Sequence, residues 1–116
     1  PYAVHMAVSR HWMINYVNAD MKDSAAKRAE EARFMADFDT DFAVRHAGAL
    51  RAIAERTGLD YLPFDCGETR DGELLLFELG TNMIVHGMDS PKIFPYKRPQ
   101  MEKVFGAFAD MLQRRL

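Results

Sequence analysis

Hydrophobic and polar positions alternate between two periodicities along this chain, and the switches between them mark out its elements. Ala3 to Val8 and Met13 to Val17 are short, apolar and partly β-branched, with Ser9-Arg10-His11 between them, a pattern that predicts a hairpin or two neighbouring strands. From about Asp23 to Asp37 the run Ala-Ala-Lys-Arg-Ala-Glu-Glu-Ala-Arg is made of strong helix formers, with Ala26, Ala29, Phe34 and nearby Phe38 as a thin apolar stripe. The charges of Lys27, Arg28, Glu30, Glu31 and Arg33 read as its solvated face. A second helix is predicted to start near Thr40 and run to Arg56, where Gly58 stops it. Its apolar face is drawn from Phe42, His46, Ala49, Leu50, Ile53 and Ala54.

The period then changes to two. Asp60 to Glu68 and Glu73 to Leu79 flank Thr69-Arg70-Asp71-Gly72, and an Asp-Gly pair between apolar runs is a hairpin signal. Pro91, Pro95 and Pro99 make Gly87 to Pro99 a loop. A last amphipathic helix from Gln100 carries Val104, Phe105, Phe108, Met111 and Leu112 on one side. The sum is an α+β fold: a mostly antiparallel sheet with helices packed on one face, in one domain over residues 1–116.

The hairpin brings chemistry. With Asp71-Gly72 as the two central residues of a type I′ turn, Arg70 faces Glu73, Cys66 faces Phe77, and Asp65 faces Glu78. Side-chain alternation then puts Phe64, Cys66, Leu75, Phe77 and Leu79 on a core face and Asp65, Gly67, Leu74, Leu76 and Glu78 on the other. Directly opposed carboxylates repel. Water, a shared proton or a divalent cation relieves that repulsion, and magnesium commonly binds through one or two carboxylates plus substrate phosphates. Leu74 and Leu76 would lie beside a flat base.

Composition narrows the classes. At 116 residues, 48% hydrophobic and 28% charged, the chain suits one globular domain, and a net charge of -2 gives no general attraction to nucleic acid. No apolar run is long enough for a membrane-spanning helix, and Cys66 alone forms no internal disulfide, so a cytoplasmic setting is expected. The first residue is Pro1, which suggests a C-terminal fragment of a larger protein.

Several segments together resemble the C-terminal core of ATP-grasp proteins: His11-Trp12-Met13, Asn18-Ala19-Asp20-Met21, Glu30-Glu31-Ala32-Arg33-Phe34, Gly58 to Asp65, Phe77-Glu78, Met83-Ile84-Val85-His86 and Pro95-Tyr96-Lys97. The resemblance is closest to the domains similar to glutathione synthetase and ribosomal-protein glutamate ligases that accompany tetratricopeptide repeats in bacteria. It implies ATP and magnesium as cofactors, Asp65 and Glu78 as metal ligands, and nucleotide or substrate contacts at Leu76, His86 and Lys97. The family pattern places a third ligand, an Asn, two residues after the Glu. Here that position is Gly80, and Asn82 is the nearest substitute. The implied reaction is ATP-dependent ligation of a carboxylate to an amine through an acyl phosphate, by a protein that also has a second, phosphate-clamping half. The fragment alone is expected to be inactive and to self-associate as a homo-oligomer. The alternative is a non-catalytic scaffold or dimerisation module derived from the same fold.

Overall fold

The computed structural model describes residues 1–116. It is an α+β protein: two 3₁₀ turns at Val17–Ala19 and Met21–Asp23, then α1 (Ala25–Asp37), α2 (Phe42–Arg45), α3 (Ala47–Thr57), β1 (Phe64–Glu68), β2 (Leu74–Leu79) and α4 (Lys97–Arg115). The strands form a two-stranded antiparallel sheet. No helix is long and apolar enough to cross a membrane.

The first helix begins where its cap dictates. The Ser24 hydroxyl accepts the Lys27 amide at 3.3 Å, satisfying one of the N–H groups that a first turn leaves unpaired. The expected second helix is two. The backbone breaks at His46 (φ -104°, ψ 15°), and the chain resumes as α3. The break lets the His46 ring turn inward, 4.5 Å from the Phe42 ring, where it is buried. Gly58 ends α3 at φ 63°, a left-handed conformation that costs glycine nothing sterically. The last helix starts three residues before the expected Gln100, at Lys97. Pro99 in its first turn is no obstacle, because the amides there have no intrahelical partner.

Two expectations fail. Ala3 to Val8 and Met13 to Val17 form no strands. That stretch is instead drawn across the helices by polar anchors: the Met6 amide donates to Glu31 Oε1 at 2.9 Å and the Tyr16 hydroxyl to Glu31 Oε2 at 2.8 Å. The sheet therefore stops at two strands and is not covered by helices on one face. Leu75, Leu76, Phe77 and Leu79 all remain substantially exposed.

The packed interior lies between the helices and the loops. Ala19, Met21 and Phe94 form one buried cluster, flanked by Ala7, Val8, Tyr16, Ile93 and Tyr96. Met35, Phe38 and Met101 are buried as well. The Phe34 ring meets the Phe38 and Phe42 rings edge-on at 5.8 and 5.5 Å, arrangements favoured by the aromatic quadrupole. The face of α1 that carries Glu31, Lys27 and Arg28 is not solvated as its charges suggest. Lys27 donates to the Ala19 carbonyl, and Arg28 donates to the Met21 carbonyl at 3.0 Å and to that of Lys22. These cations satisfy carbonyls of the two 3₁₀ turns, a job suited to long side chains.

Candidate functional site

The hairpin brings Asp65 and Glu78 opposite one another, by a route that differs from the simple two-residue turn. The Thr69 amide donates to the Glu73 carbonyl at 2.9 Å, and the Gly72 amide to the Thr69 carbonyl at 3.0 Å. Only Gly72 has positive φ (79°) in this turn, so Asp71 cannot occupy the first half of a type I′ pair. The connection is a three-residue loop, Arg70-Asp71-Gly72, ending on a left-handed glycine, which is the next commonest hairpin design.

The longer loop shifts the register by one. Glu68 pairs with Leu74, Gly67 with Leu75 and Cys66 with Leu76, whereas a two-residue turn would have set Cys66 against Phe77. An irregularity between Asp65 and Cys66 then leaves Phe77 as an extra residue on β2, and the pairing resumes as Asp65 with Glu78 and Phe64 with Leu79. The bulge cancels the shift, and the two acids meet. They share one face of the sheet and are both exposed.

A one-residue slip exchanges faces. Leu74 and Leu76, expected beside the acids, pair with Glu68 and Cys66 and so lie on the opposite face. Leu76 is thus not placed to stack a base next to Asp65 and Glu78. The apolar groups on the acids' side are Leu75, opposite Gly67, and Phe77, whose ring lies over Gly67. A Cβ on that glycine would come 3.1 Å from Phe77 Cζ.

The remaining expected residues are placed by other contacts. β2 ends at Leu79 and the chain turns at Thr81-Asn82, so Asn82 does not extend the strand face of Glu78. Its Oδ1 folds back over Gly80, 3.2 Å from where a Cβ would sit. His86 is half-buried, and its Nδ1 accepts the Met88 amide at 3.2 Å, which organises the start of the loop. Lys97 is 3% exposed and committed inside the protein. Nowhere do three His, Cys, Asp or Glu side chains come together in a metal-holding group.

Lys97 belongs to a polar node that periodicity concealed. Its Nζ lies 3.0 Å from Asp89 Oδ2 and 3.6 Å from Glu31 Oε1, and 4.0 Å above the Tyr16 ring. Glu31 is fully buried and also accepts the hydroxyl of Tyr96. Four donors therefore surround one carboxylate, which is how a buried charge is tolerated. Burial and the hydrogen bonds to Glu31 push both the Tyr16 and Tyr96 phenols above their ordinary range, so both stay protonated donors. The signal was present in Tyr96-Lys97 and Glu31, but nothing local distinguishes a buried glutamate from its neighbours Glu30 and Arg33 on a charged helix.

His5 lies between this node and the hairpin. Its ring packs on Tyr16 at 4.7 Å, and burial and then the Lys97 ammonium hold its imidazole below the usual value, opposed by the carboxylates of Asp65, Glu31 and Asp89. On β1 itself, burial and then Asp65 raise the Cys66 thiol, which makes it a poor nucleophile. Compared with known proteins, the chain matches no family model, no curated protein and no solved structure.

Proposed function

We propose that the chain is the magnesium-nucleotide half of an ATP-dependent ligase that joins a carboxylate to an amine through an acyl phosphate. The observation that carries this reading is the register of Asp65 against Glu78 on an exposed face of the hairpin. Neither acid takes part in an ion pair within the chain. Both are therefore open to an incoming cation.

The donor set fits magnesium in one way only. Two carboxylates make no closed cage, but magnesium retains water readily and is often held by one or two carboxylates together with substrate phosphates. The same geometry favours an ion that arrives with its nucleotide over one bound in advance. Leu75 and Phe77, on the acids' side, are the apolar groups a base or ribose would meet. Asp65 and Glu78 would position the phosphates and offset their charge, and the lysines that clamp those phosphates would come from a second half outside these residues.

Manganese, a paramagnetic stand-in for magnesium, tests the site in the chain as it is. Added to isotope-labelled protein with ATP, it is expected to broaden the amides of Asp65 and Glu78 first, and this selectivity is expected to vanish in both Asp65→Asn and Glu78→Gln. Broadening that is spread over all surface carboxylates, or that survives both substitutions, would overturn the reading.

A further inference from the structure

Only nine of the 116 residues are buried, and the apolar surface left uncovered includes Leu75, Leu76, Phe77 and Leu79 of β2. A two-stranded ribbon is marginal by itself in water and is normally completed by further strands or a covering helix. This one has neither. Half of the N–H and C=O groups of each strand point away from its partner, and no other backbone segment pairs with those of β2 before Gly80. Natural edge strands are blunted by lysine, proline, inward charge or a bulge. Leu74-Leu75-Leu76-Phe77 carries no lysine, proline or inward charge; the bulge at Phe77 is the one such device within it, and acids stand at either end, Glu73 and Glu78.

We propose that this edge pairs with the same edge of a second copy, giving a four-stranded antiparallel sheet across a twofold axis at Leu76. The choice of partner follows from the strand's own charge pattern. A twofold pairing centred on Leu76 sets it beside the partner's Leu76, Leu75 beside the partner's Phe77, and Leu74 beside the partner's Glu78. No acid then opposes an acid. A parallel in-register pairing would stack Glu78 on the partner's Glu78 and is disfavoured by that repulsion.

The area sets the strength. Leu75, Leu76, Phe77 and Leu79 are 37 to 64% exposed. At roughly 150–250 Å² per large side chain they expose on the order of 400 Å² over the two faces of the ribbon, and an edge-to-edge pairing covers only their flanks, so the interface is less than half of the ~800 Å² each partner gives to a standard one. The dimer is therefore weak, with a Kd of about 10–100 µM, at the low end of specific association. It stands independently of the nucleotide reading, since it uses the strand edge and leaves Asp65 and Glu78 unaltered.

Sedimentation velocity of the full chain is the test. The wild-type protein is expected to pass from monomer to dimer over that range, and Leu76→Lys to remain monomeric with an unchanged circular dichroism spectrum. In a Cys66→Ser background, Leu76→Cys is expected to give a disulfide-linked dimer on oxidation. A wild-type protein that is monomeric at about 1 mM would overturn the proposal. So would a dimer that Leu76→Lys leaves intact and Leu76→Cys fails to cross-link.

Discussion

Lys97 lies 3.6 Å from Glu31 in the interior, at the point where the N-terminal segment, α1 and α4 converge. The two residues are far apart in sequence, and the contact ties both ends of the chain to one helix. Glu31→Leu leaves the Lys97 ammonium, two phenols and the Met6 amide without their shared acceptor. A loss of about 3 kcal/mol is expected, as for other buried pairs broken on one side. Lys97→Met is expected to cost less, because Glu31 keeps three donors. Urea denaturation of the two variants provides the comparison.

Glu68 governs a pH response. The Arg45 guanidinium and then His46, whose Nε2 lies 3.0 Å from Glu68 Oε2, hold its carboxyl below the usual carboxylate range. Because the folded value is the lower one, its contribution to stability is fully present above the unfolded pKa of about 4.3 and is lost as pH falls through the folded value. Glu68→Gln should flatten that acid limb of the stability curve. The effect should be small, since Arg45 and Glu68 are both partly solvated. Thermal melts from pH 7 to pH 2 measure it.

Cys66 offers a probe of the acid pair. Its thiol is raised first by burial and second by Asp65, so alkylation at pH 8 should be slower than for a free cysteine. Asp65→Asn should speed it only modestly, by less than about tenfold, because the burial remains. Iodoacetamide kinetics followed by mass spectrometry distinguish this from a substitution that opens the hairpin, which would bring the rate to that of the denatured protein.

Gly58→Ala tests the end of α3. Its φ of 63° carries no steric penalty for glycine and a real one for alanine, although the space around it is open. A loss of about 1 kcal/mol is expected, with no change in fold. Gly48, inside α3 and with nothing within 4 Å of a new Cβ, should show the opposite sign on mutation to alanine. Chemical denaturation of the two variants makes a matched pair.

What was legible in the chain depended on how local its cause was. The helix before Asp37, the stop at Gly58, the hairpin around Asp71-Gly72, the proline-bounded loop and the last helix each follow from a few adjacent residues, and the structure has them. The break at His46 has no local signature, because a histidine at helical spacing looks the same whether the helix continues or turns its ring inward. The segments before Asn18 read as strands by pattern, but Glu31 takes their polar groups, and that long-range choice is invisible in sequence. At the hairpin, Asp-Gly announces a turn without distinguishing two residues from three. The expected opposition of Asp65 and Glu78 holds, while the neighbours assigned to them, Leu74 and Leu76, do not.

That outcome reflects a cancellation between the added loop residue and the extra residue at Phe77. Turn length and bulge act on the sheet as two phase shifts of opposite sign, so the hairpin can be lengthened near its tip without disturbing the alignment at its base. Deleting Arg70 would leave Thr69 opposite Glu73 across a two-residue Asp71-Gly72 turn and keep every pair below it, Asp65 with Glu78 included. Deleting Phe77 would close the bulge and leave the same two acids opposed, so the base of the hairpin should tolerate either deletion.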